Sequence, residues 1–244
     1  MSKFSTLIFI SGLSFLLIVI TAQLPIAHPP MLIGQYIIDH AVQDTGVTNI
    51  VTSVVLAYRG LDTLGELAIL FTAASGVGLL LSNKLNTKLQ PSTKTVRLSN
   101  SNFIIEHALN LLFPLLLVVG FYVIFHGHLT PGGGFQGGVI IASAFFLNIL
   151  AKPYKSSDSE IESTHNNLTI IESLSGVTFI AIGLYALISG HDFLEPFLSH
   201  GQLGSLWSAG TLPFLYIAVG LKVGAELSSL LITLYDIDSE ELTD

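Results

Sequence analysis

Two groups of ionisable residues stand in stretches otherwise apolar enough for a lipid bilayer. The first is in YRGLDTLGELAILF, residues 58–71, where Arg59, Asp62 and Glu66 fall at i, i+3 and i+7. On a continuous helix that spacing puts all three on one face. A carboxylate there releases a proton or coordinates a hard cation through oxygen, and an adjacent guanidinium governs when it does so. The same trio reads equally as an ion-pair cluster anchoring neighbouring subunits. Gly60 and Gly65 point to a broken or closely packed helix. The second group is in LYIAVGLKVGAELSSL, residues 215–230, where Lys222 and Glu226 are four apart and meet on one helix face. An ionisable group at such depth costs several kcal/mol, roughly 2.5–3.5 on the mildest scale. Either the pair satisfies itself, or Lys222 exchanges partners with carboxylates on another subunit. The second is favoured, because a buried lysine changes protonation readily and a mid-span lysine is seldom kept for packing. Pro213, early in the same run, is expected to kink it and admit water or a neighbour.

A third stretch is uncharged. HLTPGGGFQGG, residues 128–138, carries Gly132, Gly133, Gly134, Gly137 and Gly138 around Phe135 and Gln136. A phosphate-binding P-loop is excluded, because no Lys-Ser/Thr follows the glycines and the flanks are apolar helices rather than a strand and helix. One reading is a tight turn with close helix packing, Thr130 as N-cap, Pro131 as first helical residue and glycines 132–134 letting backbones touch. The other is non-helical backbone that dips inward and offers carbonyls to a wet cavity, tolerated only where protein or water covers it. The first is favoured and does not exclude the second. His126 and His128 beside this loop lack further ligands at metal-binding spacing, so no metal site is expected. Glu106, His107 and Glu172 read as interfacial anchors at helix ends, and His28, His40, His165, His191 and His200 as solvated loop histidines.

The elements that must position these residues follow from composition. Half the 244 residues are hydrophobic and 11% are charged, against about a quarter charged in soluble domains. Mean hydropathy is +0.70. The absence of cysteine excludes disulfides, cysteine-ligated zinc and thiolate-bound iron–sulfur clusters from this chain. Net charge is −8 with no basic stripe, which argues against a nucleic-acid partner. Part of the acidity forms a solvated tail: Asp236, Asp238, Glu240, Glu241 and Asp244. The expected class is an all-α polytopic membrane protein, with spans at 4–22, 61–81, 107–125, 134–151, 168–189 and 208–235. The first run follows Lys3 as a signal peptide would, but no clean small-x-small cleavage site comes after it. The segment 47–81 would measure roughly 52 Å as one helix, so 47–58 reads as a short or re-entrant piece interrupted at Tyr58-Arg59-Gly60.

Lys3, Lys84, Lys88, Lys94, Arg97, Lys152 and Lys155 all fall on one side of six spans, whereas 23–46, 126–133 and 190–207 contain no Lys or Arg. By the positive-inside rule that side is cytoplasmic, both termini are inside, and the glycine loop faces out. The polar segment 82–102 divides a two-span module, 1–81, from a four-span module, 103–244.

HGHLTPGGGFQGGVIIASAFFL closely resembles the signature of the MnhB/MrpB subunit of the Mrp-type multisubunit cation/proton antiporters, a domain that also occurs in related membrane-bound hydrogenases. The resemblance covers roughly 103–244. VTNIVTSVVLAYRGLDTLGELAILFTAA is similar to the C-terminal end of the antiporter's large MrpA-type subunit and to the small E-type subunit of the hydrogenase. An RGFDTLGE-like stretch is usual in those proteins, and Leu61 here replaces Phe. The resemblance implies a plasma-membrane subunit, not an enzyme and without a cofactor. Its partners would be the bilayer, the other antiporter subunits, protons, and Na⁺ or K⁺. Asp62 and Glu66 match the acidic motif, and Pro131 with the glycines matches the signature loop. Lys222 and Glu226 are carried on physical grounds only. The alternatives are an ion-translocating subunit of a hydrogenase-like redox complex and a purely structural scaffold.

Overall fold

A computed structural model describes residues 3–23, 32–87, 103–151 and 158–241. His28, Lys88, Lys94, Arg97, Lys152, Lys155 and Asp244 lie outside them, as does most of the polar segment. Among the described residues the chain is helical without strands: α1 Lys3–Gln23, α2 Leu32–Thr45, α3 Ile50–Ser53, a π-helical turn Val54–Tyr58, α4 Gly60–Thr87, α5 Phe103–Phe125, α6 Gly134–Ala151, α7 Asp158–Ile188 and α8 Leu212–Glu241. Four stretches are long and apolar enough to cross a bilayer: Gly60–Leu80, His107–Phe125, Ser163–Ile188 and Leu212–Leu234. Phe9–Ala22 and Gly134–Ile149 are shorter apolar helices. The protein is a multi-pass membrane protein.

The chain forms two compact units, Met1–Asp39 and His40–Asp244. The first holds α1, whose apolar side chains from Leu7 to Ile20 are largely exposed. In the second, α8 is the central helix. Its spanning stretch is 56% buried, against 11–22% for the other three, and α4, α5, α6 and α7 all pack on it. The core is Leu215, Tyr216, Val219 and Val223 of α8 against Leu67, Ile124, Ile141 and Phe179. On α5 the outer face of Leu111, Leu115 and Val118 stays exposed, as expected where lipid or another subunit replaces water.

Glycines set how closely the helices approach. Gly134 and Gly138 of α6 face Gly220 and Gly224 of α8, two GxxxG patterns meeting. A Cβ at Gly138 would stand 2.8 Å from the Gly220 carbonyl oxygen, and one at Gly134 would stand 2.7 Å from that of Tyr216. On another side of α6, Gly137 packs on Gly120 of α5, where a Cβ would lie 2.6 Å from the Gly120 oxygen. Backbone contact of this kind is how apolar helices gain attraction in lipid, where no hydrophobic driving force separates protein from solvent.

Several expectations need correction. The connection 23–46 contains a helix, α2, whose mixed sequence LIGQYIIDHAVQDT hid it from an apolar scan. Helix α7 begins at Asp158 rather than near 168, because its polar first turns continue the helix beyond the apolar run. Helix α8 begins at Leu212, so Pro213 lies in its first turn, where a missing N–H costs nothing, and not inside a kink. The internal proline is Pro114 in α5.

Candidate functional site

The interruption expected at residues 58–60 is a π-turn followed by a break. The Arg59 amide donates to the Val54 carbonyl at 2.8 Å, an i→i−5 bond. Arg59 leaves helical geometry at φ −127°, ψ 36°, and α4 restarts with the Asp62 amide donating to the Arg59 carbonyl at 3.0 Å. The Thr63 hydroxyl donates to the Val55 carbonyl at 2.6 Å across the break. Gly60 lets the chain pass close to Leu194, since a Cβ would come within 2.7 Å of its Cδ1 and 3.1 Å of its Cβ. Insertions of this type recur at functional sites.

The helix is therefore not continuous through Arg59, and the expected common face of Arg59, Asp62 and Glu66 does not form as such. Arg59 and Asp62 still pair, as an ion pair with both side chains more than half exposed. Glu66 is separate. With Thr63 of α4 and Thr52 of α3 it lines a partly open cavity of about 250 Å³. The same cavity is lined by Gly132, Gly133, Gly134, Phe135 and Gln136 of the glycine stretch and by Tyr216 and Val219 of α8. The acidic motif and the glycine signature, more than sixty residues apart in sequence, thus meet in one space.

Around that cavity, the chain 126–138 divides into two parts. The first, Gly127–Thr130, is fastened by the segment before α4. The Thr48 and Asn49 amides both donate to the His128 carbonyl at 3.2 Å. The Thr48 hydroxyl reaches the His128 and Leu129 carbonyls at 3.1 Å. The Asn49 amide group donates to those of Gly127 and Thr130, each at 2.9 Å, and the Thr52 hydroxyl to that of Gly127 at 2.8 Å. These carbonyls are held by protein and not offered to a cavity. The second part, Gly132–Gln136, is what lines the cavity. Gly133 takes φ +144°, a conformation L side chains rarely adopt, and α6 begins at Gly134. Thr130 is therefore not the N-cap of α6 and Pro131 not its first residue. The Thr130 hydroxyl instead donates back to the His126 carbonyl at 3.2 Å, closing the turn after α5. The positive end of α6 and the Glu66 carboxylate line the same cavity, a complementary arrangement.

One cavity residue, Tyr216, was not singled out from sequence. Tyr216 is 2% exposed, its buried hydroxyl near the Thr52 side chain. Its ring stacks on His128 at 6.1 Å between centroids. His128 is fully buried, its Nε2 3.2 Å from the Ser205 carbonyl. Burial holds its imidazole below the ordinary histidine range and His126 acts the same way, while the Ser205 contact opposes them. His200, expected in solvent, is half-buried and packs over Gly46. His165 is not in a loop but in α7, within 3.1 Å of the Ser229 hydroxyl of α8. Among the described residues no cluster of His, Asp or Glu suited to a metal is present.

Lys222 and Glu226 meet as their spacing requires, Nζ to Oε2 at 2.8 Å, both buried. Lys222 also lies 3.7 Å from Glu172 Oε1 and 5.4 Å over the ring of Phe71. Glu172 is thus no helix-end anchor. The early start of α7 places it well inside that helix and against α8.

A fold of apolar helices packed on a glycine-faced central helix, with one carboxylate-lined cavity and one buried charge cluster, is that of a polytopic membrane protein. Comparison with known proteins defines it further. Residues 104–229 match the model of the domain related to the MnhB subunit of Na⁺/H⁺ antiporters, and residues 8–102 match that of MbhE, the E subunit of MBH. The chain belongs to the MnhB-related family of membrane antiporter subunits. It is 32% identical over 200 residues to an uncharacterized protein of Methanocaldococcus jannaschii, covering 75% of each. It is 39% identical over 84 residues to the MnhB2 antiporter subunit of Staphylococcus epidermidis, of which it covers 55%. Against a protein of Rhizobium meliloti named as the A/B subunit of a K⁺/H⁺ antiporter it is 26% identical, covering 75% of this chain but 20% of that one. A chain of the archaeal membrane-bound sulfane sulfur reductase superposes with TM-score 0.72 at 34% identity, covering 95% of this chain and 97% of that one. A chain of the Mrp complex from Dietzia superposes at 0.68 and 23% identity, sharing the fold over 26% of its length.

Proposed function

We propose that this chain is a membrane subunit of a multisubunit Na⁺(or K⁺)/H⁺ antiporter, contributing to the ion path and to assembly, without a cofactor and without enzymatic activity of its own. The carrying observation is the cavity in which Glu66 meets the glycine signature. A carboxylate in a partly open, part-apolar space binds a hard cation or a proton but not both, which is what exchange of one for the other requires. The Arg59–Asp62 pair stands one turn before Glu66 and sets the field at its approach. The basic residues support a cytoplasmic placement of both termini and an outward-facing loop. The two family matches meet at residues 102 and 104, which supports a two-module chain divided at the end of the polar segment 82–102, a segment the first match includes.

The test is cation-dependent proton flux in membranes carrying the assembled complex. Glu66→Gln is expected to abolish it while assembly persists, and Asp62→Asn to reduce it. Normal flux in a fully assembled Glu66→Gln complex refutes the site; altered assembly with unchanged flux per complex favours a scaffold. A second reading has its own support, the 34% identity over nearly the full length of a sulfane sulfur reductase chain. There the same residues would serve ion translocation powered by electron transfer. Purification of the tagged chain in mild detergent separates the two: co-purifying iron–sulfur proteins favour the redox complex, and antiporter subunits alone favour the antiporter.

A further inference from the structure

About six residues along α8 from the Tyr216 side of the cavity, roughly 9 Å at 1.5 Å per residue, the chain buries a second charge cluster that the cavity does not include. Its members come from three helices: Lys222 and Glu226 from α8, Glu172 from α7 and the ring of Phe71 from α4. The side chains of Lys222, Glu172 and Glu226 are 9%, 15% and 1% exposed. Among the described residues the next titratable group along this seam is His165, held by Ser229 one turn beyond Glu226. The glycine face of α6 brings no charge to α8.

The charge count is uneven. Two carboxylates and one ammonium leave a net negative charge when all are ionised, and an uncompensated charge at this depth is expensive. The excess has a location. Glu226 gives Oε2 to Lys222, but its buried Oε1 has no hydrogen-bond partner among the described residues. Among the described residues no third His, Asp or Glu joins the two carboxylates to complete a metal site, whereas a proton needs only one oxygen. Lys222 is also placed between two acceptors, on Glu226 at 2.8 Å and within reach of Glu172 at 3.7 Å.

We propose that Glu172, Lys222 and Glu226 form a proton-binding station in which one exchangeable proton resides on the two carboxyls and Lys222 swings toward whichever is ionised. The proton leaves a carboxylic O–H for a carboxylate oxygen while Lys222 remains an ammonium, so each transfer conserves charge and needs no co-reactant beyond a proton from water. The station deepens the ion-path reading of α8, but its test reads protonation and not transport.

The experiment treats membranes containing the full complex with dicyclohexylcarbodiimide, an apolar reagent that modifies protonated carboxyls in lipid, and maps the adducts by mass spectrometry. At neutral pH the adduct is expected on Glu226 or Glu172, declining as pH rises. Lys222→Met is expected to raise total labelling roughly twofold, because two carboxyls then neutralise by protonation instead of one. No adduct on either residue in the wild type, or labelling unmoved by Lys222→Met, overturns the station. Should Lys222→Met fail to fold, infrared difference spectra of the wild type decide. A carboxylic-acid carbonyl band that Glu226→Gln or Glu172→Gln removes supports the proposal, and its absence overturns it. A chain that labels as expected but sits in a complex moving no ions refutes the transport reading and leaves the station standing.

Discussion

The Gly138 contact gives the most direct test of how the central helix is held. Gly138→Ala puts a methyl group 2.8 Å from the Gly220 carbonyl oxygen, 2.9 Å from Val223 Cβ and 3.1 Å from the Gly224 amide nitrogen. Two of these neighbours are backbone atoms of α8, which have no rotamer with which to retreat. Relief requires the helices to part by about 0.5 Å, enough to forfeit a quarter or more of the attraction of each contact along the seam. Overpacking of this kind costs about 1–3 kcal/mol, and the better helix propensity of alanine returns up to about 1 kcal/mol. The expected net loss is therefore about 0–2 kcal/mol. Gly76→Ala is the control, since a Cβ there meets nothing within 4 Å, and it is expected to be neutral or stabilising by up to about 1 kcal/mol. The assay is reversible unfolding of the purified chain in bilayer discs. Gly138→Ala as stable as Gly76→Ala or more so refutes the reasoning.

Asn49→Ala removes two side-chain hydrogen bonds, to the Gly127 and Thr130 carbonyls. At about 0.5–1.5 kcal/mol each it should cost about 1–3 kcal/mol in the same unfolding assay, and no measurable loss would dismiss the contribution of this seam. His128 predicts a pH dependence. Its folded form binds fewer protons than the unfolded chain below the ordinary value of 6.5, so its contribution is full above that pH and is lost on acidification through the window beneath it. His128→Phe keeps a ring against Tyr216 and should flatten the fall in melting temperature between neutral and mildly acid pH; an equal fall in both proteins would falsify this assignment.

Much of the fold was readable because bilayer helices announce themselves by length and apolarity. The runs 61–81, 107–125 and 134–151 lie within α4, α5 and α6. What escaped was helix built from mixed residues: α2, and the first ten residues of α7, which carry no apolar run. The sites divide in the same way. Pairs set by short spacing along the chain, Lys222 with Glu226 inside α8 and Arg59 with Asp62 across the break before α4, are legible from the spacing alone. Tyr216, His128 and Glu172 are not, because their importance depends on which helix faces which. The meeting of Glu66 with the glycine stretch is also tertiary. Charge and glycine content set each motif apart separately, and no local pattern says that they share a cavity.

The fastening of Thr48–Thr52 onto Gly127–Thr130 has a consequence for how the molecule is made. Its donors and acceptors lie 75–81 residues apart, so a nascent chain presents the donors long before the carbonyls exist. The closure waits until α5 has been synthesised and turned. Closing such a loop within one polypeptide costs a logarithm of its length, a few kcal/mol at most, whereas two separate polypeptides would lose translational and rotational freedom of about 4 kcal/mol or more. Holding both segments in one polypeptide therefore makes the junction independent of concentration and fixes the ratio of its halves at one to one, however unevenly a cell expresses the rest of the assembly.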